Sequence, residues 1–199
     1  MRQRCPDLGF TLIELLATLV ILGVLAMLGL PPLMDSVQDM RLTSRVNTLV
    51  GLLHRARSEA VQRALPVTLC PSVDGISCAA AGSGWEQGHL LFANDDPHLT
   101  SNPVALRNAN DTLIQVQPPL ATGLTLRPLP ASLAAVTFLP DGSLSGTVAV
   151  EFLLCAEGDL RSSRAVVLGR QGRVRLLSDD NGDGLLEDDN GTAFVTCTP

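Results

Sequence analysis

The sequence predicts an α+β fold, in which one long N-terminal helix packs on an antiparallel, β-sandwich-like head. Three observations predict it. An apolar run from Phe10 to Leu30 contains a single charged residue, Glu14. Beyond that run, apolar residues continue at spacings of three and four until Pro66. After Pro66 the period changes, and nine short runs rich in Val, Leu and Thr follow, broken by turn residues and with no second helical pattern.

The chain has 199 residues, enough for one domain plus an anchor, with a core that needs no metal to hold it. Its net charge of −6 argues against a molecule that binds polyanions over its whole surface. Aromatic residues are scarce, with five Phe, one Trp and no Tyr, so Val, Leu, Ile and Thr must build the strands. The five cysteines, Cys5, Cys70, Cys78, Cys155 and Cys197, form no C-x-x-C pair, which disfavours a zinc ribbon or a thioredoxin-like site.

Residues 10–30, as a helix, rise about 32 Å, close to the roughly 30 Å hydrocarbon thickness of a bilayer. Arg2 and Arg4 precede the run and suit a cytoplasmic start. A secretory signal would be shorter and end in a small-residue cleavage site, whereas this run continues to Pro31-Pro32. A plain anchor leaves Glu14 unexplained, because an unpaired carboxylate in hydrocarbon costs several kcal/mol.

Gly9-Phe10-Thr11-Leu12-Ile13-Glu14 resembles the processing site of type IV prepilins and pseudopilins. The resemblance implies that a membrane peptidase removes residues 1–9 by cutting between Gly9 and Phe10, and that the new N-terminus is methylated. Losing two arginines and one aspartate leaves a mature charge of −7. It also implies that Glu14 pairs with the N-terminal amine of a neighbouring subunit during filament assembly. The physics agrees, since a buried carboxylate and a buried ammonium are each costly alone and tolerable together.

Pro31-Pro32 is expected to interrupt or kink the helix. An amphipathic helix is expected over 31–65, with Leu33, Val37, Met40, Val46, Leu49, Leu53, Ala56 and Ala60 forming the apolar stripe. Arg41, Arg45, Arg55, Arg57, Glu59 and Arg63 are read as a solvated face, and Pro66 stops the helix. The head, 66–199, contains the runs PVTLC, HLLFAND, DTLIQVQ, LTLRPL, AAVTFLP, TVAVEFLLC, RAVVLG, RVRLLS and AFVTC, each expected to be a strand. Four segments in this order, Arg57-Ser58-Glu59-Ala60, the Trp85 segment, Phe138-Leu139-Pro140-Asp141-Gly142 and Gly172-Arg173-Val174-Arg175, resemble the GspH/FimT branch of minor pilins and pseudopilins. That resemblance covers nearly the whole chain and implies a long helix on a β-sandwich-like head.

No enzyme site is expected: His54, His89 and His98 show no metal-ligand spacing, and no nucleophile elbow, Walker loop or dinucleotide fingerprint occurs. The four cysteines after the apolar run allow three disulfide connectivities. Nearest-neighbour pairing, Cys70 with Cys78 and Cys155 with Cys197, is the expectation, because the second bridge ties down a C-terminus that would otherwise fray. Asp179, Asn181, Asp183 and Gly184 match D-x-N-x-D-G, the first half of a calcium loop, but Asn190 stands where the bidentate Glu belongs. Glu187 or Asp189 can substitute there, and a solvated acidic turn is the ordinary alternative. Calcium is the one cofactor considered.

Arg161, Arg164, Arg170, Arg173 and Arg175 form a basic cluster. The G-R-V-R piece within it resembles an element of FimT-like pilins that capture DNA. A hairpin with a solvent-facing strand explains the same residues, and the acidic loop beside it repels phosphates, so DNA as a partner is not favoured.

The family resemblance implies a minor type IV pilin that assembles into a pilus tip complex and helps prime it. Its alternatives are a DNA-binding minor pilin for transformation and a minor pseudopilin of type II secretion. The partners implied are other pilins through the N-terminal helix, the prepilin peptidase and the inner membrane. The implied location is the inner membrane with the head in the periplasm, then the pilus or pseudopilus at the cell surface.

Overall fold

The computed structural model describes residues 10–80, 82–94, 111–179, 181–188, 191–194 and 196–197, without the side chains of residue 26 and residues 28–35. The chain divides into two compact units between Met40 and Arg41.

Helix α1 runs from Leu12 to Arg63. Its helical assignment is unbroken through Pro31-Pro32, so the expected interruption does not occur. The two prolines remove two amide donors there, and the turns on either side keep the helical path. In the first unit, the large apolar side chains of Phe10–Leu25 and Met27 are exposed. Among the described residues no helix is long and apolar enough to cross a membrane, and the expected span of 10–30 is described only in part with its side chains.

In the second unit, burial along α1 begins at Leu42 and continues through Val46, Leu49, Leu53, Ala56 and Ala60, with Leu52 beside them. Their spacings of four, three, four, three and four keep one face on the head. The expected stripe needed correction at its start: Val37 and Met40 are 46% and 70% exposed, and Leu42 takes the position that the irregular step from Met40 to Val46 had left open. Leu33 lies outside the described side chains. The helix ends where Ala64 enters the left-handed region at φ 53°, just before Pro66.

The head comprises β1 (Val67–Pro71), β2 (His89–Ala93), β3 (Thr112–Gln117), β4 (Leu124–Leu129), β5 (Val136–Phe138), β6 (Val150–Ala156), β7 (Asp159–Leu168) and β8 (Val174–Leu176). A single 3-10 turn, Trp85–Gln87, precedes β2. The strands form two antiparallel four-stranded sheets, in the orders β3-β2-β1-β5 and β4-β6-β7-β8. Eight of the nine expected runs are strands. Among its described residues the ninth, AFVTC, forms an isolated bridge from Ala193 to Glu187, which lies outside both sheets. Its Phe194 and Cys197 are buried instead as a cover on the second sheet, so packing and a disulfide hold it where no ladder does.

Alternation along the strands explains the layering. Val67, Leu69, Leu91, Ala93, Val136 and Phe138 of the first sheet, and Leu126, Phe152, Leu154, Val166 and Leu168 of the second, share one core with the α1 stripe and Trp85. The opposite faces are also covered. Cys70, Leu90 and Phe92 pack with Cys78 and Ala135 on the first sheet, and Leu153, Cys155 and Ala165 pack with Phe194 and Cys197 on the second. Strands β1, β2 and β6 are therefore buried at every position, which is why their sequences read as nearly continuous apolar runs.

Candidate functional site

Thr11 caps the start of α1. Its Oγ1 accepts a hydrogen bond from the Glu14 amide at 3.3 Å, and its carbonyl accepts from the amides of Glu14 and Leu15. Thr11 and Glu14 stand at the spacing of a capping box, of which the structure forms the half made by the Thr11 hydroxyl. Both are exposed, and Phe10 is 83% exposed. Gly9 lies outside the described residues.

Two disulfides join Cys70 to Cys78 and Cys155 to Cys197, over sequence separations of 8 and 42. The first closes a loop built around Asp74. The carboxylate of Asp74 accepts from the Ile76 and Ser77 amides, both at 2.8 Å, and from the hydroxyls of Ser77 and Ser72 at 2.7 and 3.1 Å. Those donors, the Ser77 hydroxyl first, hold its pKa well below the usual carboxylate range. The second bridge fixes the covering segment that carries Phe194.

Three of the separate sequence pieces meet at one side chain. Arg57 was expected on the solvated face of α1, but it is half-buried, and its Nε donates to the Gly142 carbonyl at 3.0 Å. Gly142 and Gly172 both have positive φ, 79° and 71°, and a Cβ at either would come within 3.0 Å of the Arg57 Nε. A Cβ at Gly172 would also run into the Gly142 carbonyl oxygen. The turns are tied to each other as well, through the Leu144 amide and the Arg170 carbonyl at 2.9 Å. Asp141 steadies the first turn by accepting from the Ser143 hydroxyl and amide, contacts that lower its pKa. Reading Arg57 as a surface charge missed this, because helical spacing alone does not reveal two glycine turns in front of it.

The acidic loop converges: ligand oxygens of Asp179, Asp183 and Glu187 lie within 4.8 Å of one another. Asp179 accepts from the amides of Gly182 and Gly184, Asn181 from that of Asp183, and Asp183 from that of Leu185. Of the two expected substitutes for the missing Glu, Glu187 joins the cluster and is buried. Asp189 and Asn190 lie outside the described residues. The calcium loop's first, third, fifth and ninth positions fall on Asp179, Asn181, Asp183 and Glu187.

Arg170, Arg173 and Arg175 are exposed, the last two on either side of Val174. Arg161 leans toward the acidic loop, with Nη1 3.8 Å from where a Cβ of Gly184 would stand, and Arg164 donates to the Ser163 carbonyl at 2.8 Å. Arg161 and Arg164 are thus directed to the acidic loop's backbone and to the strand's own carbonyl, away from the turn that carries Arg170 and Arg173. His54 is exposed on α1, His89 is buried on β2, and His98 lies outside the described residues.

Residues 45–172 match the model of the family described as type II transport protein GspH, and residues 6–30 match the prokaryotic N-terminal methylation motif. The chain is 30% identical over 174 residues to the pilin-like protein PilA1 of Thermus thermophilus, covering 84% of this chain and 97% of that protein. It resembles the crystal structure of the type IV minor pilin FimU of Pseudomonas aeruginosa, with a TM-score of 0.53 and 21% identity, over 69% of this chain and 88% of FimU. A second crystal form of FimU gives a TM-score of 0.51 at 20% identity, over 69% and 93% of the two chains.

Proposed function

The chain belongs to the GspH family of type II transport proteins, and from that premise we propose that it works as a minor type IV pilin, assembling into a pilus tip complex and helping to prime it. The observation that carries this reading is the contrast along α1. Apolar side chains from Phe10 to Met27 have no cover within their own unit, while burial on the head begins at Leu42. Exposed apolar area of that extent requires a bilayer or neighbouring helices, at about 25 cal/mol for each Å² removed from water.

In this reading residues 1–9 are removed as a leader, 10–30 serve first as membrane anchor and then as filament core, 31–65 carry the head, and 66–199 form it. Glu14 neutralises the N-terminal amine of the adjacent subunit. The methylation-motif match over 6–30 supports cleavage at Gly9-Phe10 by a prepilin peptidase. The head matures in the periplasm and reaches the surface with the filament.

A second reading, a minor pseudopilin of type II secretion, is favoured by the family's own description. Calcium binding by Asp179, Asn181, Asp183 and Glu187 is part of the proposal and is supported by their convergence. DNA capture through Arg170, Arg173 and Arg175 is the least supported, because three exposed arginines offer about three phosphate contacts on a chain whose net charge is −6.

A strain lacking this chain separates the readings. The pilin reading expects few surface filaments and the mature chain, starting at Phe10, in sheared filaments of the wild type. Normal filaments with failed protein secretion would replace it with the pseudopilin reading.

A further inference from the structure

His89 points from β2 into the main core, where its ring centroid lies 5.4 Å from that of Trp85. It is buried, and its Nε2 has no hydrogen-bond partner. Beside it is a cavity of about 30 Å³ lined by Arg45 and Thr48 of α1, Gln117, Leu126 and Leu154. That volume is more than one water needs, so a neutral imidazole has room for a bridging water. An imidazolium there is in a different position. The charged side chain lining the cavity is Arg45, itself a cation, and no carboxylate lines it among the described residues. Gln117 of β3 is uncharged, and β4 and β6 supply Leu126 and Leu154. The 3-10 turn supplies Trp85, and the neighbouring Glu86 is held by Arg127 through Oε1 at 3.5 Å, its Oε2 being buried without a hydrogen-bond partner and outside the cavity lining.

We propose that His89 is an acid-sensitive latch between the second half of α1 and the head sheets, and that protonating its ring opens this seam. Burial supports the mechanism by pushing the histidine pKa down to about 4. Above pH 6.5 the ring is neutral folded or unfolded and costs nothing. As the pH falls from 6.5 toward 4, the unfolded chain takes a proton that the closed core refuses, so stability drops in that window. The depressed carboxylates of Asp74 and Asp141 lose their contributions only below about pH 4, outside the window. A head that loosens in mild acid releases α1, which gives a subunit a means of sensing the compartment it occupies.

The test uses the full chain in detergent micelles. Trp85 is the one tryptophan in the sequence, so its emission reports directly on the seam. Wild type should lose roughly 4–8 °C of thermal midpoint between pH 7 and pH 5, with Trp85 emission shifting to the red over the same range. His89→Phe should flatten both curves. The same slope in His89→Phe overturns the proposal. Should that variant fail to fold, NMR titration of the wild-type imidazole decides: a midpoint well below 6.5, with α1 and β2 amides moving alongside, supports the latch, and an ordinary midpoint with still amides removes it.

Discussion

The guanidinium of Arg57 donates to the carbonyl of Gly142 at 3.0 Å and lies against Gly172, thereby joining α1 to two turns from different sheets. The fork is planar, and both glycines hold backbone that a side chain would disturb. Arg57→Met should therefore cost about 1–3 kcal/mol of head stability, and Gly172→Ala at least as much, because it combines positive φ with a collision. Thermal or denaturant unfolding of the full chain checks this. A midpoint within error of wild type for both variants would show that the junction is incidental.

Glu14 and the Thr11 cap act at the same helix start, and two substitutions separate them. Glu14→Gln leaves the bond from its amide to the Thr11 hydroxyl in place but removes the charge. The expected outcome is normal membrane insertion and head folding with reduced recovery in filaments. Thr11→Ala should do the reverse, weakening the helix start by about 1 kcal/mol while leaving the charge in place. Equal incorporation of Glu14→Gln and wild type would remove the charge of Glu14 from assembly.

The two disulfides should differ in weight. Loop-closure entropy gives about 4 kcal/mol for the Cys155–Cys197 bridge and about 2.5 kcal/mol for Cys70–Cys78. Paired Cys→Ser replacements, compared by denaturant midpoint, should follow that order. The Cys155/Cys197 double variant should also bind a hydrophobic dye once Phe194 is released. Larger loss from the shorter loop would show that its Asp74 hydrogen bonds depend on the bridge.

Millimolar calcium should raise the thermal midpoint of the full chain if the Asp179–Glu187 loop binds it, because a ligand of the folded state stabilises by mass action. Asp183→Ala should abolish the shift, and magnesium should act more weakly because it demands stricter geometry. An unmoved wild-type midpoint returns the loop to a solvated turn.

DNA binding should be undetectable at physiological salt without calcium. Arg170, Arg173 and Arg175 neutralise about three phosphates, for a log–log salt slope of roughly −3. A gel-shift titration of wild type against Arg173→Gln/Arg175→Gln measures it. Micromolar binding lost in the double variant would move DNA capture to the front.

The sequence made the fold legible wherever one residue type performs one task. Short runs rich in Val, Leu and Thr between turn residues located the strands from β1 to β8, and the change of period at Pro66 located the end of α1. It misled where a residue's partner is far along the chain. Met40 and Leu42 both suit a helical stripe, and only the head decides which of them it covers. AFVTC has strand composition, but a disulfide and a packed Phe194 fix it without a ladder. Arg57 reads as a surface cation until Gly142 and Gly172 stand before it. For the candidate sites, the acidic loop was legible because its oxygens lie within nine residues of sequence, whereas His89 was not, because its cavity is assembled from α1 and both sheets.

Each sheet is roofed on its outer side by a segment that a covalent bond holds in place, residues 70–78 on one and the stretch through Phe194 on the other. A roof fastened this way need not contribute strand pairing, so its composition is released from the demands of the ladder beneath. Lengthening or rewriting Val73–Ser77 leaves the pairing of β1 with β2, which ends at Pro71, untouched. Exchanging covers would therefore change what the molecule shows to the outside, while the pleated frame and the helix below stay unaltered.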